Sequence, residues 1–96
     1  MGYLKPNDVR SPKAHWHLFE VIIDKGQGNP AYALGTWDGE RRVGFRWNGS
    51  EENPIGNPQS RGLPTWTMLD EELHPAIVAM LPSDKQAIAK AYFGLD

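Results

Sequence analysis

Asp38-Gly39 separates residues 32–37 (YALGTW) from residues 40–47 (ERRVGFRW), two runs rich in strand-forming side chains with only two residues between them. A hairpin loop that short is a type I′ or II′ turn. Asp-Gly suits type I′, because both positions need positive φ, which Asp tolerates and Gly adopts without a Cβ clash. The turn also fixes the register. Counting outward from it pairs Trp37 with Glu40, Thr36 with Arg41, Gly35 with Arg42, Leu34 with Val43, Ala33 with Gly44 and Tyr32 with Phe45. Opposed residues share a face, so Tyr32, Leu34, Val43 and Phe45, with Trp47 beyond them, form an apolar side that needs a core.

The opposite side carries Ala33, Gly35, Gly44, Trp37, Arg42 and Arg46. Glycine inside a strand weakens it and marks a place where another group approaches the backbone closely. One reading is an open trough, rimmed by indole and guanidinium, that seats an extended peptide, an anionic group or a stacked base. The other is internal: Trp16, Trp66 or a C-terminal helix fills the same space.

Upstream, residues 15–24 (HWHLFEVIID) read as a strand with apolar side chains on both alternating faces, the pattern of a central strand covered on two sides. Glu20, between Leu18 and Ile22 on its face, needs a cationic or hydrogen-bonding partner, for which Arg42 and Arg46 are the candidates. His15 and His17 lie on one side of the strand and would chelate a metal only if a third ligand such as His74 arrived. Residues 1–14 hold Pro6 and Pro12 without periodicity and read as an irregular arm, leaving 15–96 as a single domain.

Residues 48–64 are dominated by Gly, Pro, Asn and Ser. Connections longer than about 12–15 residues usually carry function or lack order. Within this one, Gln59, Ser60 and Arg61 supply amide, hydroxyl and guanidinium groups suited to a carboxylate or phosphate. No Gly-Lys-Ser/Thr phosphate loop and no nucleophile elbow accompany them. Residues 65–69 (TWTML) alternate as a last short strand, and two helices follow. The first begins near Asp70-Glu71-Glu72 and ends before Pro82. The second starts at Ser83-Asp84-Lys85-Gln86, which matches a capping box, and carries a stripe of Ala87, Ile88, Ala91, Tyr92 and Leu95 up to Gly94.

These elements predict an α+β fold: a small curved antiparallel sheet of about four strands, with an SH3-like partial barrel as one form it can take, and two short C-terminal helices. The 96 residues contain no cysteine, which excludes disulfides, thiolate metal sites and cysteine nucleophiles. The formal charge of −2 is far from the basic footprint of a nucleic-acid binder, although residues 1–50 hold seven basic and five acidic side chains against three and seven in residues 51–96. Neither a membrane span nor a signal-peptide pattern is present, so the expected location is the cytoplasm.

The functional expectation is a noncatalytic binding module that contacts a protein, peptide or anionic ligand through Trp37, Arg42 and Arg46 on the sheet and Gln59, Ser60 and Arg61 on the loop. Neither a cofactor nor a metal is expected, and homodimerisation is compatible with the small size. Two alternatives stand beside it: nucleic-acid binding through the same face, and a hydrolase-like activity resting on Glu20, His15, His17 or Ser60. The runs VGFRWNG and IGNPQSRG are distinctive without implying an activity. In size and plainness the chain resembles the small accessory proteins carried by phages and mobile gene cassettes.

Overall fold

A computed structural model describes residues 3–95; the first two residues of the arm and Asp96 lie outside the described residues. The sheet contains β1 (Trp16–Asp24), β2 (Pro30–Trp37), β3 (Glu40–Trp47) and, later in the chain, β6 (Thr67–Met68), in the antiparallel order β1-β2-β3-β6. Two further strands, β4 (Gln59–Ser60) and β5 (Leu63–Pro64), form a separate ribbon within the long loop. A 3-10 turn, Glu71–Leu73, leads into α1 (His74–Ala79) and then α2 (Ser83–Phe93). The fold is α+β, a four-stranded antiparallel sheet with two short C-terminal helices.

The hairpin of β2 and β3 has the register that the turn dictates, from Trp37↔Glu40 through Tyr32↔Phe45 and on to Pro30↔Trp47. Asp38 and Gly39 both have positive φ, 50° and 87°, as a type I′ turn requires. β1 departs from the expectation of a central strand: among the described residues it is an edge strand, paired with β2 alone. Its register with β2 also shifts twice, once between Leu18 and Glu20 and again between Val21 and Ile23. Each extra residue inverts the alternation that follows it. Trp16, Leu18 and Val21 therefore share a face with Trp37, Gly35 and Ala33, whereas Glu20 and Ile23 fall on the face of Leu34 and Tyr32.

The sheet separates two apolar clusters. On one side Ile22, Leu34 and Val43 pack with Ile77, Val78, Leu81 and Ala89 from the helices. On the other, Trp16, Ala31 and Ala33 pack with Val9 from the N-terminal segment and Trp66. Residues 3–14 contain one 3-10 turn, Pro6–Asp8, and are stitched to the body: Trp66 Nε1 donates to the Val9 carbonyl at 2.6 Å and Leu4 N to the Pro54 carbonyl at 3.1 Å. The bulges explain the partner of Glu20. Carried to the helical face, it pairs with Lys85 of α2 at 2.9 Å rather than with Arg42 or Arg46.

Two details of the helices differ from the sequence reading. Ser83 is the first residue of α2, after Pro82 at the N-cap, and no side-chain capping bond forms; Gln86 instead donates to the Val78 carbonyl at 3.1 Å, tying α2 to α1. The packed stripe of α2 is Ile88, Ala89, Tyr92 and Phe93, whereas Ala87 and Ala91 are exposed. Phe93 stacks on His74 at 4.3 Å and so sets the rotation of the helix. Gly94, left-handed at φ 69°, then turns the chain and takes Leu95 off the stripe.

Candidate functional site

The expected trough is filled from within. Trp16 lays its indole over the two strand glycines: a Cβ at Gly44 would meet its ring at 3.2 Å, and one at Gly35 would overlap it. The glycines are thus the seat of a core tryptophan supplied by the neighbouring strand, which resolves the choice between an open trough and an internal filler.

Arg46, expected on the exposed docking face, is 0% exposed and unavailable to a partner. Its Nη1 donates to the Thr65 carbonyl at 2.7 Å and its Nη2 to the Ile55 carbonyl. Among the described residues no carboxylate pairs with it. Burial alone holds its pKa below the usual arginine value. The physical reason for its position is the loop. Ile55 of the long loop and Thr65 just after it bring carbonyls against the sheet that no strand satisfies, and a guanidinium carries enough donors to serve both.

What stays open is the turn end of the same face. A cleft of about 600 Å³ is walled by Trp37 and Arg42 of the hairpin, Trp66 and Met68 of the segment around β6, and Asp70 and Glu71 at the entry to the helices. Trp37 is held in place by His15, whose ring stacks on it at 5.1 Å with an interplanar angle of 18° while its Nδ1 lies 2.7 Å from the Asp38 carboxylate. Arg42 is steadied by Glu40, two residues back on the same strand face, at 2.9 Å. The cleft therefore combines indole surface with a guanidinium and a pair of carboxylates. The Arg42 charge reaches past it to His74, whose pKa is lowered by burial first and by Arg42 second, against smaller opposing effects of Glu71 and Asp70.

The sheet edge beside this cleft is also defined. Leu69 N donates to the Val43 carbonyl, and Met68 faces Gly44. In an antiparallel ladder the backbone groups of neighbouring residues alternate in direction, so the Met68 N–H and C=O point away from β3. The outward N–H of Trp66 is taken by the Ser11 carbonyl at 3.3 Å. From Met68 onward, no further strand of the described residues pairs with this edge.

Of the residues expected to bind, Trp37 and Arg42 share one cleft, and Arg46 lies enclosed within the fold. The remaining three belong to the β4–β5 ribbon. Arg61 and Gly62, with φ of 56° and 80°, form its tight turn, so the loop contains a second small hairpin. Gln59 Nε2 is spent inside the loop, on the Gly56 carbonyl at 2.7 Å and Asn53 Oδ1 at 3.2 Å. Ser60 and Arg61 are exposed at the end of the ribbon, outside the walls of the cleft. Sequence reasoning missed Trp66, Met68, Asp70 and Glu71 as cleft residues. The alternation of 65–69 places Trp66 and Met68 on one face, but nothing in it reveals that β3 is the partner strand.

The histidines do not converge. His15 is engaged with Asp38 and Trp37, His74 with Phe93, and among the described residues no group of three His or acidic side chains is placed to hold a metal. Also among the described residues, no helix is long and apolar enough to cross a membrane. No protein-family model, curated protein or solved structure matches the chain.

Proposed function

We propose that this chain is a noncatalytic binding module that seats an extended peptide segment of a partner protein in the cleft between the hairpin and the entry to α1. The observation that carries this reading is the outward-facing Met68 backbone at the rim of a cleft walled by Trp37 and Trp66. Main-chain pairing along a sheet edge supplies affinity without regard to sequence, and the adjacent pocket supplies selectivity through a side chain. Tryptophan and arginine are the side chains that most often anchor such contacts. Arg42 on one wall and Asp70 and Glu71 on the other favour a segment that presents an acidic and a basic residue in a fixed order.

The test is selection from a displayed random-peptide library, followed by chemical-shift mapping on isotopically labelled protein. Enriched peptides should shift the Met68 amide and the indole N–H signals of Trp37 and Trp66. Trp37→Ala should weaken the best peptide at least tenfold, corresponding to about 1.4 kcal/mol. Because Trp37 also packs against the core, Glu71→Lys at an exposed position provides a second variant, expected to change peptide preference without changing the melting temperature. Absence of enrichment, or shifts confined to another surface, would overturn the reading.

A further inference from the structure

A second concavity lies on a different part of the molecule, between the N-terminal segment and the first residues of β1. It has a volume of about 390 Å³ and is lined by Arg10, Lys13, Trp16, His17 and Leu18. Every titratable group in that lining is a base. Arg10 is anchored by one nitrogen only, Nε donating to the Asn7 carbonyl at 3.0 Å, and none of the ion pairs among the described residues involves Arg10, Lys13 or His17. Trp16, 1% exposed, is the buried member of that lining.

We propose that this pocket is a binding site for a phosphate group. Arg10 and Lys13 come from the arm and His17 from the strand, so the lining joins two segments of the chain. A phosphate carries more negative charge than a carboxylate and offers three acceptor oxygens to such basic groups. Arg10 supplies a planar fork and Lys13 a mobile point charge, the combination that recurs around phosphate. The chain as a whole is acidic, so three unpaired basic side chains around one cavity are a local feature and not a reflection of composition. The phosphate can be a free or nucleotide-borne group or one unit of a nucleic-acid backbone; the chemistry recognised is the same. This site is independent of the peptide cleft, and its failure leaves that reading intact.

The experiment is a titration of the full chain, followed by amide chemical shifts, with three probes: inorganic phosphate, ADP and a mixed-sequence single-stranded oligonucleotide. Sodium chloride at equal ionic strength is the reference. Saturable shifts confined to residues 10–18, reduced at least tenfold in affinity by the pair Arg10→Gln and Lys13→Gln, are the expected result. Both positions are exposed, so the double variant should keep the wild-type melting temperature. If the oligonucleotide binds tighter than ADP, with a salt dependence that flattens in the variant, the phosphate belongs to nucleic acid. If ADP or phosphate binds as tightly as the oligonucleotide, it belongs to a small molecule. Shifts that sodium chloride reproduces, shifts unaffected by the double variant, or no saturation with any probe would overturn the proposal.

Discussion

Gly35 shows how one residue without a side chain shapes the whole sheet face. A Cβ there would stand 2.5 Å from the His17 carbonyl oxygen and closer still to the Trp16 ring, so both backbone and indole would have to move. Gly35→Ala should therefore cost about 3 kcal/mol, the upper end of ordinary overpacking, read as a lowered denaturant midpoint at unchanged slope. Gly28→Ala meets nothing within 4 Å and should cost only about 1 kcal/mol, from its left-handed backbone at φ 73°. His74 sets a different single-residue effect. Burial and Arg42 hold its folded pKa below that of the unfolded chain, so the unfolded state takes up a proton first as pH falls. Stability is complete above about pH 6.5 and is lost progressively as pH falls toward the depressed folded value. Melting curves from pH 7.5 down to 5 should show this loss, and His74→Phe, which keeps an aromatic ring against Phe93, should remove its contribution. The sequence revealed the need for small residues at positions 35 and 44 through the strand alternation. It did not reveal the burial of Arg46, because an arginine on a strand face reads as solvated until the carbonyls that surround it are known.

At the scale of elements, legibility followed the distance between interacting residues along the chain. The β2–β3 hairpin could be derived in full because two adjacent residues with positive φ determine its pairing. β1 could not, since its bulges arise from packing Trp16 and Ile22 into opposite clusters, a demand set by the rest of the molecule. The same inversion moved Glu20 to Lys85, 65 residues away. The β4–β5 turn, Arg61-Gly62, is legible only through its glycine: Arg61 adopts positive φ without the short polar side chain that lets Asp38 tolerate it. The long loop as an element depends on Arg46 and Asn48. Asn48 Nδ2 bonds Asp24 Oδ1 at 2.8 Å and the Gly26 carbonyl at 2.9 Å, fixing the start of the loop, while Arg46 holds its middle and the residue just after it. Arg46→Met keeps the apolar stem but leaves the Thr65 and Ile55 carbonyls without their donors. The expected cost is about 3 kcal/mol, with hydrogen exchange rising first in residues 48–64 and only later in β2 and β3.

For the whole molecule, the central feature is that the sheet is covered on both sides by different means: helices on one, and the N-terminal segment with the long loop on the other. Neither cluster is large, so each cover matters to the total. Removing residues 1–10 would strip Val9 from its cluster and leave the Trp66 indole N–H without its acceptor. Together these should cost about 3 kcal/mol or more and lower the melting temperature by on the order of 15 °C. A midpoint within a few degrees of the full chain would show that the arm contributes little. The two irregularities of β1 have one more consequence, for crowded solutions. They leave at most three successive residues in regular register on that rim, and the opposite rim, β6, is two residues long. An amyloid-like fibre grows when identical chains zip together over a run of six or seven residues. With neither rim offering such a run, the folded chain is a poor template for copies of itself and can be held concentrated without threading into filaments.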